Sequence, residues 1–178
     1  MKGYANSHSV SRLRFLFLFS LVCCVLVSGC SNQQEKKLVI GDNAPVFSLK
    51  SLNGEILNLG EMQGSPVLLR FFLTDCKFCR ADTPVFNDLY TKYNAKGLHV
   101  LYVDSLGIKP EIVKSFAREL GILFPVAQDP GGEVTKKYRV RALPQTIVLD
   151  PEHKIQAAIL GGVSAEELNR LLAPYFNK

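Results

Sequence analysis

Apolar and polar positions change period several times along the chain, and each change marks an element. Val46 to Leu49 and Ile56 to Leu59 alternate around Asn53-Gly54, a dipeptide that tolerates positive φ in a tight turn, so they predict an opening β-hairpin. Pro66 to Leu73 (PVLLRFFL) is apolar apart from Arg70 and reads as a buried strand. From Cys76 to Lys96 the spacing becomes helical and stops at Gly97, a residue suited to the position just past a helix end. Leu98 to Val103 is the next strand, followed by a helix opened by Pro110 and closed before Gly121. Phe124 to Ala127 predicts a short strand and Glu133 to Tyr138 a brief helix. Gln145 to Asp150 and Ile155 to Leu160 are strands around Pro151-Glu152-His153-Lys154. Ser164 with Glu167 forms a capping box for a last helix, whose apolar face is Leu168, Leu171, Leu172 and Tyr175. This order predicts an α/β architecture with a mixed central sheet covered by helices.

The first thirty residues follow another logic. Lys2, Arg12 and Arg14 precede an apolar run from Phe15 to Val27, shorter than the ~20 residues a membrane-spanning helix needs and suited to a secretory signal. The run ends Leu26-Val27-Ser28-Gly29-Cys30, which resembles the lipobox of bacterial lipoproteins. That resemblance implies cleavage after residue 29, lipidation of Cys30 and an exported protein held at the membrane by its lipid anchor. Residues 30–37 then read as the lipidated N-terminus and a polar linker, and residues 38–178 as one domain. Ser31 is not the aspartate that retains lipoproteins at many inner membranes, so an outer-membrane address is open where the host has one. The net charge of +5 falls close to neutral once the three leader cations are removed. No basic stripe with interleaved aromatics supports a nucleic-acid partner.

Cysteine usage then narrows the chemistry. Cys23 and Cys24 belong to the discarded run and Cys30 would carry lipid, which leaves Cys76 and Cys79 as thiols. A loop this short stabilises a fold little as a disulfide, so the pair is there to react. Cys76-Lys77-Phe78-Cys79 follows a strand and opens a helix, where unpaired N–H groups and positive potential favour a thiolate. Cys76 is the expected nucleophile and Cys79 the resolving thiol, with Lys77 and Arg80 adding positive charge. A structural zinc site needs four ligands; His99 and His153 read as isolated residues, so neither a metal nor another cofactor is expected.

Val67 to Pro84 (VLLRFFLTDCKFCRADTP), together with Arg141-Ala142-Leu143-Pro144-Gln145-Thr146 and the opening Gly41 to Leu49, resembles the TlpA/ResA branch of the thioredoxin family. The resemblance implies a thioredoxin-like fold with an N-terminal hairpin and a central insertion. It also implies an exported reductant of protein disulfides, re-reduced by a thiol-disulfide electron donor in the membrane. Apocytochrome c, other envelope proteins and small disulfides are the candidate substrates. Pro144 matches a cis proline that faces the cysteines and, with Leu143, shapes the substrate groove. Asp82 matches a glutamate that moves protons beneath the cysteines. Pro84 matches a helix-kinking proline, although a first-turn proline of a later helix fits its position nearly as well. The chain departs from the pattern in three places. Asp75 stands where a tryptophan is usual, so the aromatic edge of the groove is missing, and its carboxylate is a candidate helix cap. Lys77-Phe78 replaces a proline-containing dipeptide. Arg70 occupies a strand position held by Asp or Asn in relatives, and a charge there requires a partner. We expect that partner to be Asp82, in a partly buried ion pair that would make Asp82 a poor proton acceptor. Lys77, Phe78 and Arg70 are therefore the candidate redox-tuning residues.

Two other functions share this fold. A peroxiredoxin would need Pro-x-x-x-Thr-x-x-Cys, whereas Thr74 lies two residues before Cys76 and no proline is in place. A copper chaperone of the Sco type would need Cys-x-x-x-Cys, one residue longer than the spacing here, and a distal histidine.

Overall fold

The computed structural model describes residues 38–176. The signal peptide at 1–29 and the lipidated segment at 30–37 expected from the sequence lie outside the described residues. Within them the order is β1 (Ser48–Ser51), β2 (Ile56–Asn58), β3 (Val67–Phe72), α1 (Lys77–Tyr93), β4 (His99–Asp104) and α2 (Pro110–Glu119). It continues with β5 (Val126–Gln128), α3 (Glu133–Lys137), β6 (Gln145–Leu149), β7 (Ile155–Leu160) and α4 (Ala165–Phe176). No helix of the described residues is long and apolar enough to cross a membrane.

Local chemistry accounts for the element ends. Gly54 takes φ +92° in the hairpin turn, a conformation that a Cβ disfavours. β2 stops at Asn58, whose side chain accepts the Gly60 N–H at 2.9 Å and starts a 3-10 turn over Leu59–Met62, one residue before the end expected from the alternation. α1 tightens into a 3-10 turn at Asn94–Lys96 and ends at Gly97, φ +100°. Pro84 lies inside α1 on its exposed side, so the helix runs through it instead of starting after it. Ser164 Oγ accepts the Glu167 N–H at 3.1 Å at the start of α4, which buries Leu168 and Leu172.

All seven strands of the described residues join one mixed sheet in the order β2-β1-β5-β4-β3-β6-β7. β3 is central: it pairs in parallel with β4 and antiparallel with β6. β5, from the central segment, is parallel to β4 and antiparallel to β1, and so joins the opening hairpin to the sheet. All six residues of β3 are buried, but their faces differ. Val67, Leu69 and Phe71 pack with Leu101, Val103, Ile147 and Tyr138. Leu68 and Phe72 pack on the opposite side with Phe86 and Leu89 of α1, Phe116 of α2 and Leu168 of α4. Arg70 lies between Leu68 and Phe72 in the period-2 alternation, so it points into that second core, beneath α1.

Candidate active site

β3 delivers the chain to Leu73, a turn follows, and α1 begins at Lys77 with Cys76 as its N-cap. Cys76 is extended (φ −75°, ψ 117°), and its Sγ accepts the Cys79 N–H at 3.1 Å, one of the donors that a helix start leaves without an intrahelical partner. Asp75, a candidate cap on sequence grounds, does not cap: it stands one residue before the N-cap and is exposed, and the sulfur of Cys76 takes the amide instead. Both cysteines are free thiols, Cys76 partly accessible and Cys79 fully buried. Burial, and then the hydrogen bond with Cys76, push the Cys79 thiol up to about 12, while the Leu73 backbone and the Arg70 charge act in the opposite direction.

The inner face of α1 presents Cys79, Asp82, Thr83 and Phe86 to the sheet, at helical spacings of three and four. Arg70 rises from β3 to meet it. Arg70 Nη2 donates to Asp82 Oδ2 at 2.6 Å; Nη1 donates to Thr146 Oγ1 at 2.7 Å and to the Gly161 carbonyl at 3.0 Å. Its guanidinium carbon lies 5.4 Å from the centre of the Phe86 ring. Arg70 has no exposed surface, and the Asp82 side chain only 10%. Asp82 Oδ2 accepts a second bond, from the Val163 N–H at 3.0 Å. Thr83 Oγ1 donates to the Cys79 carbonyl at 2.7 Å and sits 3.3 Å from the Tyr102 hydroxyl.

The third wall is the Leu143–Pro144 segment, joined by a cis peptide bond, with Pro144 buried and Leu143 half-buried. The Pro144 carbonyl accepts the Gly161 N–H at 2.9 Å, which fastens this segment to the loop after β7. At Gly162 a Cβ would lie 3.3 Å from the Phe78 ring and 3.8 Å from both Asp82 oxygens, so the loop passes close over α1. Sequence reading did not single out Thr146, the Gly161-Gly162 pair, Val163 or Tyr102. Thr146 faces Arg70 in the β3–β6 register and Tyr102 faces it in the β3–β4 register. The Gly-Gly dipeptide was the one signal available for the loop.

One expectation about charge is corrected. Arg80 does not serve the cysteines, because its guanidinium pairs with Glu119 and lies 5.4 Å over the Phe116 ring, drawn towards α2. Lys77 Nζ lies 5.3 Å over the Phe78 ring, at the exposed start of the helix. Beside Cys79, the buried Arg70 charge opposes the upward push of burial. A groove of about 270 Å³, with Asp75, Arg80, Ile112, Phe116 and Glu119 in its lining, opens beside the turn that precedes Cys76. Nor are the histidines isolated. His153, buried in a left-handed turn at φ +58°, adds to burial in lowering the pKa of His99. Both lie at the end of the sheet opposite the cysteines, where Val67 pairs with His99 and Leu149. Among the described residues no group of three or more His, Cys, Asp or Glu side chains is placed to hold a metal ion.

Comparison with known proteins agrees with this geometry. The AhpC/TSA family model matches residues 40–158. The thiol-disulfide oxidoreductase ResA of Bacillus thuringiensis subsp. konkukian (strain 97-27) is 35% identical over 167 residues, covering 91% of this chain and 95% of the relative. The ResA protein of Oceanobacillus iheyensis is 32% identical over 177 residues, covering 94% and 92%. A crystal structure of a putative thiol:disulfide interchange protein DsbE from Chlorobium tepidum superposes with a TM-score of 0.73 at 30% identity, covering 78% of this chain and 99% of that one. With a family model spanning most of its length and relatives matched nearly end to end, the chain belongs to the AhpC/TSA family, as a thioredoxin-like thiol-disulfide oxidoreductase of the ResA type.

Proposed function

We propose that the protein is a lipid-anchored disulfide reductase on the extracytoplasmic side of a bacterial membrane, with Cys76 as nucleophile and Cys79 as resolving thiol. The observation that carries the assignment is the asymmetry of the pair: Cys76, the N-cap of α1, is partly accessible, and Cys79, whose N–H its sulfur accepts, is fully buried. Cys76, as thiolate, attacks one sulfur of a substrate disulfide; a Cys76–substrate disulfide forms and the first substrate thiolate leaves with a proton from solvent. Cys79 then loses its proton, attacks Cys76 Sγ and expels the second substrate thiol. Two electrons have passed from the dithiol to the substrate, and a membrane thiol-disulfide donor returns the Cys76–Cys79 disulfide to the dithiol. Leu143 and Pro144 form the wall along which an extended substrate chain lies. Protein disulfides are the substrate class, apocytochrome c among them.

The test is catalytic and preparative. Reduced full-length protein in detergent should reduce a protein disulfide stoichiometrically, and Cys76→Ser should abolish this. Cys79→Ala expressed in cells should accumulate mixed disulfides whose captured partners identify the substrate. Peroxide consumption without disulfide reduction would overturn the reading in favour of a peroxidase.

A further inference from the structure

The buried arginine is the feature that the dithiol mechanism alone leaves unexplained. Burying a guanidinium is costly unless it is fully engaged, and Arg70 is engaged by three separate segments. Asp82 belongs to the helix of the cysteines, Thr146 to the strand that begins just after Pro144, and Gly161 to the loop bonded to the Pro144 carbonyl. These are the walls of the reaction groove. Arg70 Nε, by contrast, is buried without a partner, so the side chain's place is set by the two Nη groups aimed beneath α1.

Resolution needs a Cys79 thiolate in a site with no exposure to solvent. The titratable and charged groups around Cys79 are Cys76 and Asp82 on its own helix, Arg70 on β3 and Tyr102 on β4. Asp82 Oδ2 already accepts from Arg70 and Val163, and the Tyr102 hydroxyl is held near Thr83 with its pKa raised, mainly by burial. Asp82 Oδ2 is thereby committed to Arg70 and Val163. A guanidinium cannot deprotonate in a protein, so it offers a charge that is present at every pH.

The geometry points to Arg70 as the positioning residue of the resolving step: a fixed cation under α1 that stabilises the Cys79 thiolate and aligns the helix with the Pro144 wall. Asp82 then acts as counterion and anchor. This rests on the dithiol reading above and assigns how its second half is driven. The proton leaves Cys79 for water at the Cys76 side, the Cys79 thiolate displaces the substrate sulfur from Cys76, and the expelled substrate thiolate takes a proton from solvent. Atoms and electrons balance without another oxidant or reductant.

The test uses full-length protein in detergent with 5,5′-dithiobis(2-nitrobenzoate) as the disulfide. One coloured thiolate is released by attack of Cys76, and a second by resolution, whose rate does not depend on reagent concentration. Arg70→Gln and Arg70→Lys are followed across pH. Because the Gln variant leaves Asp82 unpaired and risks misfolding, Arg70→Gln/Asp82→Asn is also compared with Asp82→Asn, which isolates the arginine. Loss of the cation should move the midpoint of the resolving phase to higher pH by about one unit, which slows resolution about tenfold more than attack below that midpoint. Arg70→Lys should keep the midpoint near that of the parent while slowing both phases, since it retains the charge but not the fork. Parallel slowing of both phases in the Gln variants, or an unmoved midpoint, would overturn the role of Arg70. Absence of the attack phase in the unmodified protein would instead overturn the dithiol reading.

Discussion

Cys76 and Cys79 share a residue type and differ in almost every physical respect, because one closes the helix from outside and the other sits a turn inside it. Iodoacetamide at neutral pH should therefore alkylate Cys76 far faster than Cys79, as peptide mapping after a short pulse would show. The reason is access, together with the burial that pushes Cys79 up to about 12. Equal labelling of the two would remove the basis for the assignment. Phe78, between them, remains 47% exposed and packs near Gly162, so its ring forms part of the rim around the dithiol. The CxxC motif itself was legible from sequence. How the nearby cations are disposed was not: Lys77 lies over Phe78 and Arg80 is captured by Glu119.

At the scale of elements, β3, α1 and β6 are held by one polar contact set inside an otherwise apolar core. Removing a single member of a buried ion pair typically costs about 3–5 kcal/mol, because the remaining charge keeps its desolvation penalty. Arg70→Gln should show such a loss in denaturant unfolding. Asp82→Asn should cost less, since Thr146 and Gly161 still accept from Arg70. The double variant should recover part of the Arg70→Gln loss, so that the cycle shows a coupling of more than about 1 kcal/mol, whereas additive losses would argue against a working pair. Ser164→Ala should cost about 1 kcal/mol, the usual value for an N-cap, without changing dithiol reactivity. Helix α4 lies on the same core as α1 but contributes no group to the reaction.

For the molecule as a whole, the oxidation state of the dithiol becomes a term in stability. The folded state holds the Cys79 proton from the ordinary thiol value of 9.0 up to about 12, so its contribution is fully present below pH 9 and is lost as the pH rises towards 12. Between pH 9 and 10 the slope in the reduced protein should exceed that in Cys79→Ala by an amount that approaches about 1.4 kcal/mol per pH unit. The buried Tyr102 and Tyr138, raised from 10.0, add the same slope to both variants as the pH approaches and passes 10. Urea unfolding of reduced protein and of Cys79→Ala at both ends of that window measures the difference. The proposed export and anchoring are tested separately: Cys30→Ala should leave an unprocessed, unlipidated precursor, and mass spectrometry of the mature N-terminus should find a diacylglyceryl-modified Cys30. A mature protein that keeps Met1 would exclude the anchor.

The order and type of the elements followed from the sequence alone, because hydrophobic period, turn residues and helix ends are local signals. The hairpin around Gly54, the buried β3, the stop at Gly97 and the apolar face of α4 each lie where short-range chemistry places them. The dithiol was legible for the same reason, as a four-residue motif at a strand-to-helix junction. Arg70 and Asp82 could be paired only through a resemblance to other proteins, since they lie twelve residues apart on different elements. The remaining contacts of Arg70 were beyond the reach of any window: Thr146 and Gly161 are 76 and 91 residues away in the chain. Sheet order decided those contacts. Antiparallel pairing of β6 against β3 sets Thr146 opposite Arg70, and the return of the chain through β7 brings Gly161 and Val163 over α1. A local pattern states that a charge is buried; which groups neutralise it is fixed only when distant strands meet.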